Sequence, residues 1–145
     1  MQVTLAADEG GQVVFDVTGR EIGTEDYWDG NWLSCRVSVQ AGGSRGAFNT
    51  TFRTEEFVRM RDGVRVCMTD LRGAFVFETM EEQLSIVAKG DGLGHFTAQC
   101  TASDAAGPGN VLTFVLSFDQ TRLAPFAAEL DALLRAYPVV GKRER

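Results

Sequence analysis

Few of the residue types that carry out chemistry stand at spacings that would let them do it. Gly90-Asp91-Gly92-Leu93-Gly94-His95 is glycine-rich, but an anion-cradling loop needs a strand before it and a helix after it, so that helix N–H groups point at the ligand. Here strand patterning lies on both sides, so the stretch reads as a hairpin turn with His95 at the start of the next strand. His95 is the only histidine. It is therefore the only imidazole base available to a serine or cysteine nucleophile, and no G-x-S-x-G elbow is present to present a serine. Cys35, Cys67 and Cys100 show no C-x-x-C spacing and fall on apolar faces, which suits small buried hydrophobes in a reducing compartment. Asp26, Asp29 and Asn31 offer oxygen ligands, yet the distal bidentate glutamate of a calcium loop is missing. Paired carboxylates from distant strands leave no mark in the spacing. The expectation is a chain with no catalytic residue, no metal and no cofactor, and no enzymatic activity.

One stretch remains, Tyr27-Trp28-Asp29-Gly30-Asn31-Trp32-Leu33, where both tryptophans meet a turn and the start of a strand. Asp29-Gly30-Asn31 is turn chemistry: glycine takes positive φ without steric cost, and Asp and Asn bond their own backbone. The connection from Glu21 to Asn31 is acidic and aromatic together. Glu25, Asp26, Tyr27, Trp28 and Asp29 are the candidate partner-binding residues, because Tyr and Trp are favoured at binding hot spots. The competing reading has the rings anchoring the loop into the core. Trp32, which opens a strand, is expected to be mostly buried and Trp28 more exposed.

The elements that must position this loop follow from periodicity. Alternation puts Leu33, Cys35, Val37 and Val39 on one face of a strand from Trp32 to Gln40, preceded by short strands at Val3 to Ala6 and around Val13, Phe15 and Val17. Ala41-Gly42-Gly43-Ser44 reads as a hairpin turn into a return strand carrying Phe48, Thr50 and Phe52. Thr54 reads as the N-cap of a helix, with Glu55 and Glu56 on the positive end of its dipole. Its apolar stripe is Phe57, Met60, Val64, Cys67 and Met68, and Gly63 weakens it by about 1 kcal/mol relative to alanine. Strands follow at Arg72 to Glu78, Leu84 to Lys89, Phe96 to Ala102 and Val111 to Asp119, with turn cues that include Met80-Glu81-Glu82 and Ala106 to Asn110. A last helix runs from about Arg122 to Ala136 with a stripe of Leu123, Phe126, Leu130, Leu133 and Leu134; Pro125 is tolerable in its first turn.

The two helix-bearing segments repeat at an offset of 66, from Phe48 and Phe52 to Phe114 and Phe118, and from the first stripe to the second. Chance superposition of two strand-then-helix pairs is the alternative. The expected fold is a single α+β domain over residues 1–145, antiparallel sheets of about eight strands with two helices, with ββββα halves at 1–69 and 70–137.

Composition bounds the rest. With 145 residues, 44% of them hydrophobic and 23% charged, the chain has a core of ordinary size, and no apolar run approaches a membrane span. The first residues lack the basic start and apolar centre of an export signal, so a cytoplasmic location is expected. A net charge of −6 disfavours nucleic acid and suits a basic partner. The tail Lys142, Arg143, Glu144 and Arg145 is expected to be frayed and solvated.

From Tyr27-Trp28-Asp29-Gly30-Asn31-Trp32-Leu33 through the glycine turn, the Thr54 helix, Gly90 to His95 and Asp119-Gln120-Thr121, the sequence resembles the WapI-type immunity proteins, a group of small bacterial proteins. The resemblance implies a cytosolic, non-enzymatic protein that binds and blocks a cognate toxin inside the producing cell. Two other classes stay open on the residues alone, a homodimeric structural or regulatory module and a small-ligand-binding protein. A twofold interface would mark the first and an apolar pocket with convergent polar groups the second.

Overall fold

A computed structural model describes residues 1–79 and 81–143. Four strands, β1 (Gln2–Ala6), β2 (Gln12–Arg20), β3 (Trp32–Ala41) and β4 (Ser44–Arg53), form an antiparallel sheet in that order, followed by helix α1 (Thr54–Thr69). The plan then repeats with β5 (Ala74–Glu78), β6 (Leu84–Gly90), β7 (His95–Ser103) and β8 (Val111–Asp119), a 3-10 turn at Gln120–Arg122, and α2 (Leu123–Ala136). This is the expected α+β ββββα repeat. The inward faces are those predicted by alternation, Val13, Phe15 and Val17 on β2 and Leu33, Cys35, Val37 and Val39 on β3.

The halves interlock through aromatic rings. Phe15, Phe52 and Phe57 of the first half surround Phe77 of the second, with Phe52 and Phe77 at 4.9 Å edge-to-face and Phe15 and Phe77 at 5.2 Å. Such edge-to-face pairs add about 0.5–1.5 kcal/mol each beyond the area they bury. Each helix also reaches the first strand of the opposite half. On α2, Glu129 accepts the Thr4 N–H of β1 at 2.9 Å. On α1 the equivalent position is Gly63, where a Cβ would come within 2.7 Å of Phe75 Cβ on β5. Gly63 therefore permits a close helix–strand approach, and α1 continues unbroken past it. Between the helices Arg65 bonds Asp131 at 2.8 Å. These positions are 66 apart, so equivalent residues touch across the axis that relates the halves.

Several local expectations are corrected. Arg53, not Thr54, holds the N-cap position of α1 and makes no side-chain cap bond; Thr54 is the first helical residue, and its hydroxyl donates to the Asn31 carbonyl at 3.2 Å. Met68 leaves the stripe and is exposed, because α1 has already turned its core-facing side to Cys67 in that last turn. β5 starts at Ala74 rather than Arg72, since Gly73 closes a turn by donating to the Asp70 carbonyl. α2 starts at Leu123, after a tighter turn capped by Asp119, whose carboxylate accepts the Thr121 N–H at 2.8 Å. Of the turn cue Met80-Glu81-Glu82, Met80 lies outside the described residues, as do Glu144 and Arg145 of the tail.

Candidate functional site

The turn after β6 is a plain hairpin. Asp91 accepts the Leu93 and His95 N–H groups at 2.7 and 3.2 Å, and Gly92 and Gly94 take φ of 87° and 101°. Those N–H bonds, led by Leu93's, hold the Asp91 carboxyl below its ordinary range. A strand, not a helix, follows the loop; the start of the 3-10 turn before α2 meets it through the Gln120 N–H, which is spent on the Gly94 carbonyl at 2.8 Å, and His95 is exposed at the start of β7.

The connection from Glu21 to Asn31 is built differently. At its base Asn31 is fully buried. Its amide donates to the Tyr27 and Val140 carbonyls at 2.8 and 2.9 Å, its Oδ1 accepts the Val140 N–H at 2.9 Å, and its carbonyl accepts the Thr54 N–H at 2.8 Å. One side chain thus joins the loop to the segment that follows α2, and its backbone joins the loop to α1. Arg20, at the end of β2, adds a second clamp by donating to the Gly30 carbonyl at 2.6 Å and to the Pro138 carbonyl. Gly30 is required by crowding, because a Cβ there would lie 2.3 Å from the Thr24 carbonyl oxygen. Gly141 is required twice over, by a φ of 71° and by the backbone of Glu25 and Tyr27 packed against it.

Above this base sits Arg53, 7% exposed. Its guanidinium lies 5.2, 5.4 and 5.2 Å from the ring centres of Tyr27, Trp28 and Trp32. It donates to the Trp28 and Tyr27 carbonyls at 2.9 and 3.1 Å and pairs with Glu55 at 3.1 Å. Such a desolvated cation among rings gains about 2 kcal/mol from their quadrupoles. The Tyr27 hydroxyl donates to the other Glu55 oxygen, a bond that raises the phenol pKa above its ordinary value. The loop crest is braced by Asp26, whose carboxylate accepts the Trp28 and Asp29 N–H groups at 3.0 and 2.9 Å.

The five candidate residues therefore stand together on one loop in different roles. Glu25, Asp26, Trp28 and Asp29 are exposed, while Tyr27 is half-buried and directed at Glu55. Trp28 is 50% exposed. Trp32 is the more sheltered of the two tryptophans, as expected, though outside the main core: alternation gives the core to Leu33 and leaves Trp32 on the Arg53 side. The tail is not simply frayed either, since Val140 is bonded to Asn31 and the Arg143 guanidinium lies 5.7 Å from the Trp28 ring centre. Arg53, Asn31 and the segment from Pro138 to Arg143 are what sequence reasoning missed as parts of the site. The one sequence signal was an arginine ending an otherwise neutral strand stretch beside Glu55.

The other chemistry-bearing groups stay apart. Burial pushes the Cys35 and Cys100 thiols up to about 12 and Cys67 to about 11, and all three are free. No cluster of three or more metal-ligating side chains occurs among the described residues. None of their helices is long and apolar enough to cross a membrane.

A family model described as the immunity protein WapI-like family matches residues 4–138. No curated protein matches the sequence. Among solved structures, the chain is similar to one described as "Crystal structures of trypanosoma bruciei MRP1/MRP2", with a TM-score of 0.51 and 13% identity over 95% of this chain and 85% of that one. That likeness is one of fold.

Proposed function

The chain belongs to the immunity protein WapI-like family, and from that membership we propose that it binds and neutralises a cognate bacterial toxin within the producing cell, without catalysing a reaction of its own. The contact surface is the crest from Glu21 to Asp29. The observation that carries this reading is Trp28, half open to solvent while its carbonyl and ring are fixed by Arg53. A ring held this way loses little freedom on binding, and preorganisation of that kind raises affinity by lowering the ordering cost. Around it Glu21, Glu25 and Asp29 are exposed and form no ion pair among the described residues. These carboxylates suit a basic partner, raising the association rate in a salt-dependent way, while the ring governs dissociation.

The test starts from a partner recovered from the source cell by pull-down. Neutralising Glu25, Asp26 and Asp29 together as Gln, Asn and Asn keeps acceptors on the crest; association should slow at low salt and converge with the parent at high salt. Trp28→Ala should speed dissociation by at least about tenfold, the effect of a hot spot of modest size. If both variants bind like the parent at low and high salt, this crest is not the recognition surface.

A further inference from the structure

Each sheet has two edges, and two of the four are guarded along the strand: β1 is met by Glu129 and β5 by α1 at Gly63, while β4 carries only the charge of Arg45 near its start. β8 is guarded only in its second half, where the Ser117 carbonyl accepts the Asp8 N–H at 3.0 Å from outside the sheet. Because main-chain groups alternate sides along a strand, Val111, Thr113 and Val115 also turn their N–H and C=O groups outward. None of these groups has a partner among the described residues. Val111 and Val115 are exposed, and the stretch from Val111 to Ser117 has no charge, proline or bulge.

That open edge borders a groove of about 490 Å³. The opposite wall is the start of β4, which is the equivalent strand of the first half. The pair Ala41 and Ser44 flanks the tight turn, so Arg45 and Ala47 point their main chain away from β3, matching Val111 and Thr113. The floor is apolar, with Val39, Phe48, Ala102 and Leu112. Of the two charges at its rim, Asp104 is occupied by the Asn110 N–H and side-chain amide at 2.9 and 3.0 Å. Arg45 has no ion pair among the described residues.

We propose that this groove binds an extended polypeptide segment, which adds as a strand to the free edge of β8, turns alternate apolar side chains to the floor and places a carboxylate against Arg45. Only another extended main chain matches a row of outward N–H and C=O groups, and an apolar floor selects side chains at every second position. The inference is independent of the Glu21–Asp29 crest.

The probe is acetyl-Val-Thr-Val-Asp-amide, titrated into the full chain and followed by amide NMR. Saturable shifts are expected at Val111, Thr113, Val115 and Arg45. The same peptide N-methylated on the residues facing β8 should produce none. Arg45→Glu should weaken binding by about fivefold, the worth of one partly exposed ion pair. Thr113→Pro should abolish it, since proline deletes an outward N–H yet is tolerated on an edge strand; the remaining spectrum reports whether that variant is folded. Trp28→Ala should leave the titration unchanged, which separates this site from the crest. Shifts that survive N-methylation, shifts outside the groove, or no saturable shift at millimolar peptide would each overturn the proposal.

Discussion

The two halves share a plan, and the connection between their second and third strands is where they part. In the second half it runs from Asp91 to Gly94 and is shaped by one aspartate and two glycines at positive φ, with only two main-chain bonds to distant residues, from the Gly92 N–H to the Leu71 carbonyl and from the Gln120 N–H to the Gly94 carbonyl. In the first it runs from Glu21 to Asn31 and is held by residues far away in sequence, Arg53 before α1 and Val140 after α2. A loop of four residues turned mainly by its own aspartate and glycines costs the fold little and offers little surface. A loop held by tertiary contacts can carry an exposed tryptophan and several carboxylates in a fixed arrangement. The elaborated copy is therefore where a recognition surface is to be sought.

The sharpest way to break this comparison is to remove the side chain that holds the long loop. Asn31→Ala leaves both main-chain groups of Val140 without their partner, while the Tyr27 carbonyl keeps its bond from Arg53. Two such groups at about 1–3 kcal/mol each, partly relieved by entering water, give an expected loss of about 2–4 kcal/mol. Asp91→Ala in the short hairpin should cost about 1 kcal/mol or less, because the freed N–H groups are exposed. Urea unfolding of the two variants decides it; equal losses would mean that the long loop is as self-sufficient as the short one.

A second contrast lies at the first turns of the helices. Glu56 on α1 is 4% exposed with one carboxyl oxygen unpartnered, whereas its counterpart before α2 is the exposed Arg122. Burial pushes the Glu56 pKa up to about 7, against the opposing pull of the Arg53 N–H and the Arg59 and Arg53 charges. The folded pKa lies above the unfolded one, so the folded state favours the protonated acid. Its contribution is complete below the unfolded value and is lost as pH rises through about 7, a difference of about 3–4 kcal/mol. Glu56→Gln should flatten thermal stability across that window and stabilise the protein at pH 8. A parent that gains stability between pH 5 and 8 relative to Glu56→Gln would show that the carboxylate is welcome there.

Much of this was legible in the sequence, for definite reasons. Strand alternation fixes which of Leu33, Cys35, Val37 and Val39 go inward because the period of two admits no compromise. The helix stripes and the repeat rest on the same kind of local periodicity. Thr54 misled because capping preference is a local rule, and here Asn31, brought in by the fold, takes both the Thr54 N–H and its hydroxyl. Met68 misled because a stripe predicts a face, not how far along the helix the neighbours extend. The loop's acidic and aromatic character could be read, but its rigidity could not: Asn31 and Val140 stand 109 positions apart, and nothing in either neighbourhood announces the other.

The smallest effect separates the two tryptophans, and it bears on whether the long loop is a surface or merely a plug. Trp32 lies against Arg53 on the sheltered side, while Trp28 closes the same cation from the solvent side and is itself half open. Trp32→Ala removes packing from a half-buried site and should cost about 1–2 kcal/mol. Trp28→Ala removes a ring half in water together with its edge contact on Tyr27 and its share of the Arg53 attraction, but its carbonyl, which holds Arg53, belongs to the backbone and survives the substitution. Its cost should stay below about 1 kcal/mol. Thermal unfolding of the two variants orders them. If Trp28→Ala lowers the melting temperature more than Trp32→Ala does, the exposed ring is a structural brace for Arg53, and its openness no longer argues for a partner.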